Sequence, residues 1–188
     1  MKNTVDKKII GFDMDGVIID HVSNKIRSAK KFGFKITKKQ TPTEIIRTLI
    51  PQPEYGKFQT YLYNHPVNGL RPKPMPGVKK VLSVMKKSGV PFFLISRRKK
   101  HHISKILLKK NGLWPKYFNK DNTFFVDEIE DKEIKAKELG ITHYIDDERK
   151  VLTALVSVKN KFLFDYLGAF PDSEYKRISS WKEIAKLI

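Results

Sequence analysis

Two aspartates separated by one residue, Asp13 and Asp15, are followed by Gly16 and form the tetrapeptide Asp-Met-Asp-Gly. The apolar run before them, Lys8 to Phe12, is typical of a buried strand, so both carboxylates lie where a strand gives way to a glycine turn. One carboxylate of such a pair can attack an electrophile while its neighbour donates and accepts protons. A purely structural turn is the alternative. A calcium loop is excluded, because the positions that would need Gly and Glu hold isoleucine and asparagine.

Other apolar runs also end at polar side chains that could take part in the same chemistry. Ser96 follows one run, and Asp146 with Asp147 follows another. The four further runs that are apolar enough to form buried strands are Val90 to Ile95, Thr123 to Val126, Thr142 to Ile145 and Lys161 to Phe164. Ligands bind at the carboxyl ends of the strands of an open parallel sheet, so we expect Asp13, Ser96 and Asp146 to converge.

Amphipathic stretches with helix-type ends separate the apolar runs, which predicts an α/β fold with helices covering a parallel sheet. The predicted helices of this part are Gly77 to Lys87, Arg98 to Lys110, Glu148 to Val156 and a last helix that opens with a capping box at Ser180 and Glu183.

Residues 21–73 interrupt this alternation. They contain three helical patterns, near Ser23 to Lys31, Thr43 to Leu49 and Glu54 to Tyr63, and no convincing strand. The proline-rich exit, Arg71 to Pro76, predicts an extended linker. We therefore expect a core formed by residues 1–20 and 74–188, with a helical insertion at 21–73.

The composition restricts the class of protein. A chain of 188 residues with 40% hydrophobic and 11% aromatic residues suits one globular domain with a modest insertion. The absence of cysteine excludes disulfides, thiolate nucleophiles and thiolate zinc sites, so any bound metal is expected to be a hard one. No apolar run is long enough to span a bilayer, and no signal-peptide core follows the first charged residues. We expect a cytoplasmic protein without a membrane partner.

The four strand-end motifs together resemble those of the haloacid dehalogenase-like (HAD) superfamily of phosphohydrolases. They are Ile9 to Gly16 (IIGFDMDG), Phe92 to Ser96 (FFLIS), Lys132 at a later helix, and Tyr144 to Asp147 (YIDD), in the order in which that superfamily has them. The resemblance spans roughly Lys8 to Asp165. It implies a Rossmann-like three-layer sandwich with a small helical cap inserted after the first strand.

The resemblance also implies catalytic roles. Asp13 would attack phosphorus and form an aspartyl-phosphate, while Asp15, protonated at first, would protonate the leaving oxygen and then activate water. Ser96 and Lys132 would donate to the phosphoryl oxygens. Taken singly, Ser96 could be an ordinary strand-end hydroxyl, and Lys135 lies close enough in sequence to compete with Lys132 for this role.

A magnesium ion (Mg²⁺) is the cofactor that the resemblance implies. Its ligands would be the Asp13 side chain, the Asp15 backbone carbonyl and Asp146, and Asp147 would bind directly or through water. Taken alone, the two adjacent aspartates could instead cap the helix that follows them.

The substrate implied is a small phosphorylated metabolite or a nucleotide. Arg97 is the preferred phosphate ligand of the basic run that follows Ser96, because a guanidinium binds phosphate through two parallel hydrogen bonds. Location alone makes a further set of residues in the insertion candidate substrate contacts: Asn24, Arg27, Tyr61, Tyr63 and His65.

The formal net charge of +18 supports two alternatives. One is a nucleic-acid-binding protein on a catalytically silent version of the fold, and the other is a phosphatase of phosphorylated nucleic-acid ends. Neither is favoured, because adjacent lysine pairs point in different directions on a helix and do not concentrate into one stripe. Pure electrostatic binding would also not require every acid of the site.

Overall fold

Eight strands are present in the computed structural model, which describes residues 8–187. Their bounds are β1 Ile10–Phe12, β2 Ile19–Asp20, β3 Lys73–Pro74, β4 Phe92–Ser96, β5 Thr123–Phe125, β6 His143–Asp146, β7 Asn160–Phe164 and β8 Lys176–Ile178. Six of them form one parallel sheet in the order β5-β4-β1-β6-β7-β8, and β2 pairs with β3 in an antiparallel ribbon. The predicted parallel sheet is confirmed.

Eight α-helices accompany these strands within residues 8–187. Their bounds are α1 Val22–Lys31, α2 Thr43–Leu49, α3 Glu54–Asn64, α4 Val78–Lys87, α5 His101–Lys110, α6 Ile129–Glu138, α7 Arg149–Ala154 and α8 Trp181–Ile184. Short 3₁₀ helices cover Lys38–Gln40, Asn68–Leu70 and Ala185–Leu187. None of the described helices is both long and apolar enough to cross a membrane.

Successive residues of a strand point to opposite sides of the sheet, and helices bury both sides. Phe12 of β1 and Ile145 of β6 belong to the apolar cluster that includes residues of α4, α5 and α8. Ile95 of β4 and Tyr144 of β6 belong to the cluster formed with α6 and α7. Gly11 of β1 has the room for this second layer, since a Cβ atom there would lie 2.4 Å from the Tyr144 ring. The result is the predicted three-layer α/β sandwich.

Helices α1, α2 and α3 lie between β2 and β3 and share an apolar cluster of their own. Its buried members are Ala29, Ile46, Ile50, Tyr55, Phe58 and Leu62. The chain enters and leaves this segment through the paired strands β2 and β3, where Ile19 lies opposite Pro74 and Asp20 opposite Lys73. The proline-rich exit is thus extended, and it is also paired with the entry.

Two local predictions differ from the structure. The helix predicted from Arg98 begins later, at His101, and the four residues after Ser96 are not helical. Strands β2 and β8 were not predicted. Strand β2 has only two residues, and β8 has the sequence Lys-Arg-Ile with only Ile178 buried, so both lack the apolar run that identifies a central strand.

Candidate active site

The carboxyl ends of three neighbouring strands meet in the middle of the sheet. Strand β1 lies between β4 and β6, so Asp13 follows β1 at the place where Ser96 ends β4 and Asp146 ends β6. The Asp13 backbone N–H donates to the Ile145 carbonyl at 3.0 Å and continues the pairing. The convergence predicted for these strand ends is therefore present in the fold.

Lys132 bridges two of the converging carboxylates. Its ammonium donates to Asp13 Oδ1 at 2.6 Å and to Asp146 Oδ2 at 2.9 Å, and the residue is 1% exposed. Helix α6 directs it inward because Ile129 and Ala136, at helical spacing on either side, are also buried. Burial alone would lower the pKa of Lys132, but Asp13 and Asp146 raise it well above its usual value. The ammonium is therefore charged.

Lys135, the competing lysine in the sequence, lies away from this cluster. It forms a surface ion pair with Glu138, and its ammonium lies over the ring of Phe124. The two lysines are about one helical turn apart on α6. Lys132 lies on the buried face of the helix, and Lys135 does not. The structure thus brings Lys132, and not Lys135, to Asp13.

Asp13, Asp146 and Asp147 form an acidic cluster in which one oxygen of each lies within 4.8 Å of the others. Burial raises the pKa of Asp146 to about 7, against the opposing effect of Lys132. Burial likewise raises the pKa of Asp147 well above its usual value. The three carboxyl groups are crowded, and Lys132 contacts only Asp13 and Asp146, so a further positive charge would stabilise all three in their ionised form. Oxygen ligands in such a cluster suit a hard divalent cation, so the residues present fit magnesium.

Gly16 brings Asp147 into this cluster. Its φ of +92° is the left-handed conformation that favours glycine, and a Cβ atom would lie 2.3 Å from Asp147 Oδ2. The glycine of the Asp-Met-Asp-Gly motif therefore serves both the turn and the close approach of a carboxylate.

Replacing Gly16 with alanine is expected to destabilise the fold by more than backbone strain alone. Gly33→Ala is the matched control, because Gly33 has a φ of +83° and a Cβ atom there would meet nothing within 4 Å. We expect Gly33→Ala to cost about 1–3 kcal/mol of unfolding free energy. Gly16→Ala should cost at least ~1 kcal/mol more, because Asp147 must move. Equal losses in urea unfolding would contradict the packing of Gly16 against Asp147.

Asp15 is held by two basic side chains. Arg98 donates from Nε to Asp15 Oδ2 and from Nη2 to Asp15 Oδ1, both at 2.7 Å, and His21 Nε2 lies 2.7 Å from Oδ1. Burial alone would raise the pKa of Asp15, but Arg98 and His21 hold it far below its usual value. Burial lowers the pKa of His21, although Asp15 opposes that shift. Arg98 and His21 therefore favour the carboxylate form of Asp15, whereas the motif resemblance implies that Asp15 starts protonated.

A polar cavity of about 430 Å³ lies over the strand ends. Its floor includes Asp13, Asp15 and Ser96, and its other side is formed by one face of α3 together with Thr43 and Arg47 of α2. The α3 residues on that face are Gly56, Gln59, Thr60, Tyr63 and Asn64. Every one of them except Gly56 carries a hydrogen-bonding group, so the cavity suits a small polar ligand.

The remaining predicted contacts are distributed between the cavity and other places. Arg97 lines the cavity and lies 3.4 Å from Glu148, and Tyr63 lines it from α3. Tyr61 and His65 line a second, adjoining groove. Asn24 is buried and donates to the Asn68 carbonyl at 3.1 Å, which is a structural role. Arg27 is exposed and lines neither of these two spaces.

Arg98 and His21 are the site residues that sequence reasoning missed. Arg98 is 5% exposed and His21 2% exposed, and both contact Asp15. Arg98 lies in the basic run that follows Ser96. The position of Arg97 next to Ser96 favours Arg97 over Arg98 as the phosphate ligand of that run. A buried arginine requires an acidic partner, but nothing in the local sequence indicates that the partner is Asp15.

Among the comparisons with known proteins, only the search of solved structures found matches. A scan against models of protein families and a search of curated proteins found no match. Solved structures do match over nearly the whole chain. A HAD family hydrolase from Deinococcus radiodurans R1, with bound phosphate and sodium, has a TM-score of 0.66 and 15% identity and covers 96% of this chain and 94% of its own.

Two further structures agree with the first. A haloacid dehalogenase-like protein of unknown function from Agrobacterium tumefaciens has a TM-score of 0.65 and 17% identity, and the match covers 96% of each chain. A predicted phosphatase from Clostridium acetobutylicum has a TM-score of 0.65 and 18% identity, with 96% of this chain and 97% of its own covered. At such identities the likeness establishes the fold. The protein has the haloacid dehalogenase-like fold that its four motifs predicted.

Proposed function

We propose that this protein is a magnesium-dependent phosphatase that hydrolyses monoesters of a small phosphorylated metabolite or nucleotide through a phosphorylated Asp13. The observation that carries the proposal is the contact of Asp13 with Lys132 at 2.6 Å, beside the acidic cluster. A carboxylate that accepts a hydrogen bond from a buried ammonium is fixed in direction, as a nucleophile must be. The bound phosphate of the Deinococcus hydrolase supports the same class of ligand.

In the first half of the reaction, an Asp13 oxygen attacks phosphorus in line and the bond from phosphorus to the leaving oxygen breaks. Asp15, protonated from solvent in the complex with the ester, gives its proton to that oxygen, and the alcohol leaves. Lys132 and the Ser96 hydroxyl donate to the phosphoryl group, where they stabilise the charge that shifts onto its oxygens.

In the second half, water attacks phosphorus and the bond to Asp13 breaks. Asp15, now a carboxylate, takes the proton of that water, so that inorganic phosphate is released and both aspartates return to their starting states. The backbone fixes the spacing of the pair, since the Asp15 N–H donates to Asp13 Oδ2 at 2.8 Å.

Magnesium would be held by the carboxylates of Asp13, Asp146 and Asp147 and by the Asp15 backbone carbonyl. When bound, it supplies positive charge that draws the anionic ester toward the nucleophile and offsets the crowding of the carboxylates. Asp146 is already oriented for this, because its Oδ1 accepts from the Glu148 N–H at 3.0 Å and its Oδ2 from Lys132.

The helical insertion, residues 21–73 with α1 to α3, would act as a lid that selects the substrate. Its polar α3 face lies across the cavity from Asp13 and Ser96. The cavity offers hydroxyl, amide and guanidinium groups, while Tyr63 is the one aromatic side chain among its lining residues. This lining favours a hydroxylated or charged leaving group over a large apolar one.

Hydrolysis of p-nitrophenyl phosphate with and without magnesium tests the proposal. We expect turnover with magnesium and its loss in excess chelator, restored by adding the metal back. The magnesium concentration that gives half the maximal rate should be about fivefold higher at pH 6 than at pH 7, since a proton competes for Asp146, whose pKa burial raises to about 7.

Metal-independent turnover, or none under any condition, would contradict the proposal. In the second case, steep salt-dependent retention on DNA would favour the nucleic-acid-binding alternative that the charge of +18 suggests. If turnover is seen, a screen of phosphorylated metabolites, nucleotides and phosphorylated oligonucleotides would identify the substrate class.

A further inference from the structure

We propose that Arg98 is a positioning residue that withholds Asp15 from reaction until the phosphoryl group of a substrate draws the guanidinium away. The proposal rests on the proposed function, because it concerns how the proton-transferring carboxylate of that reaction becomes available. It assigns to Arg98 a role that differs from simple substrate binding.

Both side-chain oxygens of Asp15 are occupied by hydrogen-bond partners. Arg98 Nε binds Oδ2, and Arg98 Nη2 with His21 Nε2 binds Oδ1, each at 2.7 Å. Proton transfer to a leaving oxygen requires one Asp15 oxygen at hydrogen-bond distance from it. With both oxygens engaged in a nearly buried ion pair, Asp15 is in a resting arrangement.

Arg98 lies where a phosphoryl group could compete with Asp15 for it. Arg98 lines the same space as Asp13 and Ser96, where the phosphoryl group would bind. A guanidinium fork fits phosphate oxygens as well as it fits a carboxylate. An arriving phosphate dianion therefore competes directly with Asp15 for Arg98, and the exchange frees Oδ2 of Asp15 when a substrate is present, since His21 contacts only Oδ1.

Arg98 also contacts the helical insertion. Arg98 Nη1 donates to the Tyr63 carbonyl at 3.2 Å, and its guanidinium carbon lies 4.7 Å from the centre of the Tyr63 ring. Tyr63 is in the last turn of α3. Arg98 thus connects Asp15 to α3, so a movement of Arg98 changes the contacts of both.

A crystal structure of the unaltered protein with magnesium and inorganic phosphate gives a test that does not require turnover. With phosphate beside Asp13, we expect Arg98 to contact the anion and to leave at least one Asp15 oxygen free. Phosphate bound beside Asp13 with both Arg98 contacts to Asp15 retained at 2.7 Å would overturn the proposal.

A kinetic test compares two phosphate esters that differ in how much their hydrolysis depends on proton transfer from Asp15. An alkyl phosphate such as glycerol phosphate has a poor leaving group and depends on Asp15, whereas p-nitrophenyl phosphate depends on it much less. In Arg98→Lys, which keeps the charge but not the fork, the ratio of kcat/KM for the alkyl ester to that for the aryl ester should rise about three- to tenfold. A general loss of phosphate affinity affects both esters and cancels in the ratio.

Lys100→Gln, which alters charge in the same loop outside the cavity, is the control and should leave the ratio unchanged. An unchanged or lower ratio in a folded Arg98→Lys protein would refute the withholding role, whatever happens to the individual rates. A wild-type protein that hydrolyses neither ester would instead contradict the proposed function, which keeps the two failures distinguishable. Circular dichroism establishes that each variant is folded.

Discussion

Replacing Asp13 with asparagine is expected to lower kcat for p-nitrophenyl phosphate by at least about 10⁴-fold, because an amide oxygen cannot replace the carboxylate as the nucleophile. The shape of the side chain is kept, and Lys132 retains its contact with Asp146 at 2.9 Å. The fold should therefore persist. Steady-state kinetics would measure the loss, and acid quench with ³²P-labelled phosphate ester should show label on the wild-type protein only.

Asp127→Asn is the matched control for the loss of one negative charge near the site. Asp127 follows β5 and lines the same cavity, but it is not a member of the acidic cluster of Asp13, Asp146 and Asp147. We expect its effect on kcat to stay below about tenfold. Comparable losses in both variants would show that Asp13 acts through the general charge of the cavity and not as the nucleophile.

Lys132→Met is expected to have the largest effect on stability. Removing the ammonium leaves Asp13 and Asp146 facing each other without compensation in a site where Lys132 is 1% exposed. Removal of one partner from a buried ion pair typically costs about 3–5 kcal/mol. We expect a loss of that order in urea unfolding without metal, and a smaller loss with magnesium, which would supply part of the missing positive charge.

Lys135→Met provides the comparison for that experiment, since it removes the same group from the same helix. Lys135 pairs at the surface with Glu138, so its loss should change the unfolding free energy by no more than about 0.5 kcal/mol. Hydrolysis should also be unaffected. If the two variants behaved alike, the assignment of Lys132 to the Asp13 cluster would be wrong.

The strand ends of this protein could be predicted because each combines an apolar run with a polar residue in a fixed order. The runs before Asp13, Ser96 and Asp146 form β1, β4 and β6, which are neighbours in the sheet. The order of strands in the sheet was not readable from periodicity. The motif resemblance predicted which residues meet at the strand ends, because four motifs in the same order are far more specific than any one of them, but it gave no strand order.

The environment of Asp15 could not be predicted in the same way. Arg98 lies in a non-helical stretch between β4 and α5, where neither the helical nor the strand period indicates the direction of a side chain. The contact of Arg98 with Asp15 joins residues 83 apart in sequence. Contacts of that kind depend on tertiary packing, which is why the sequence favours Arg97 and does not reveal the pairing of Asp15.

The ribbon of β2 and β3 has an evolutionary and an engineering consequence. Because Ile19 pairs with Pro74, the two junctions of the insertion lie side by side. The segment between β2 and β3 contributes no strand to the central sheet. Exchanging this segment for one of another length would add little loop-closure entropy and would leave the strand order unchanged. Under the proposed function, new substrate preferences would be acquired by transplanting one contiguous stretch of the gene, while Asp13, Asp15, Asp146 and Asp147 stay in place.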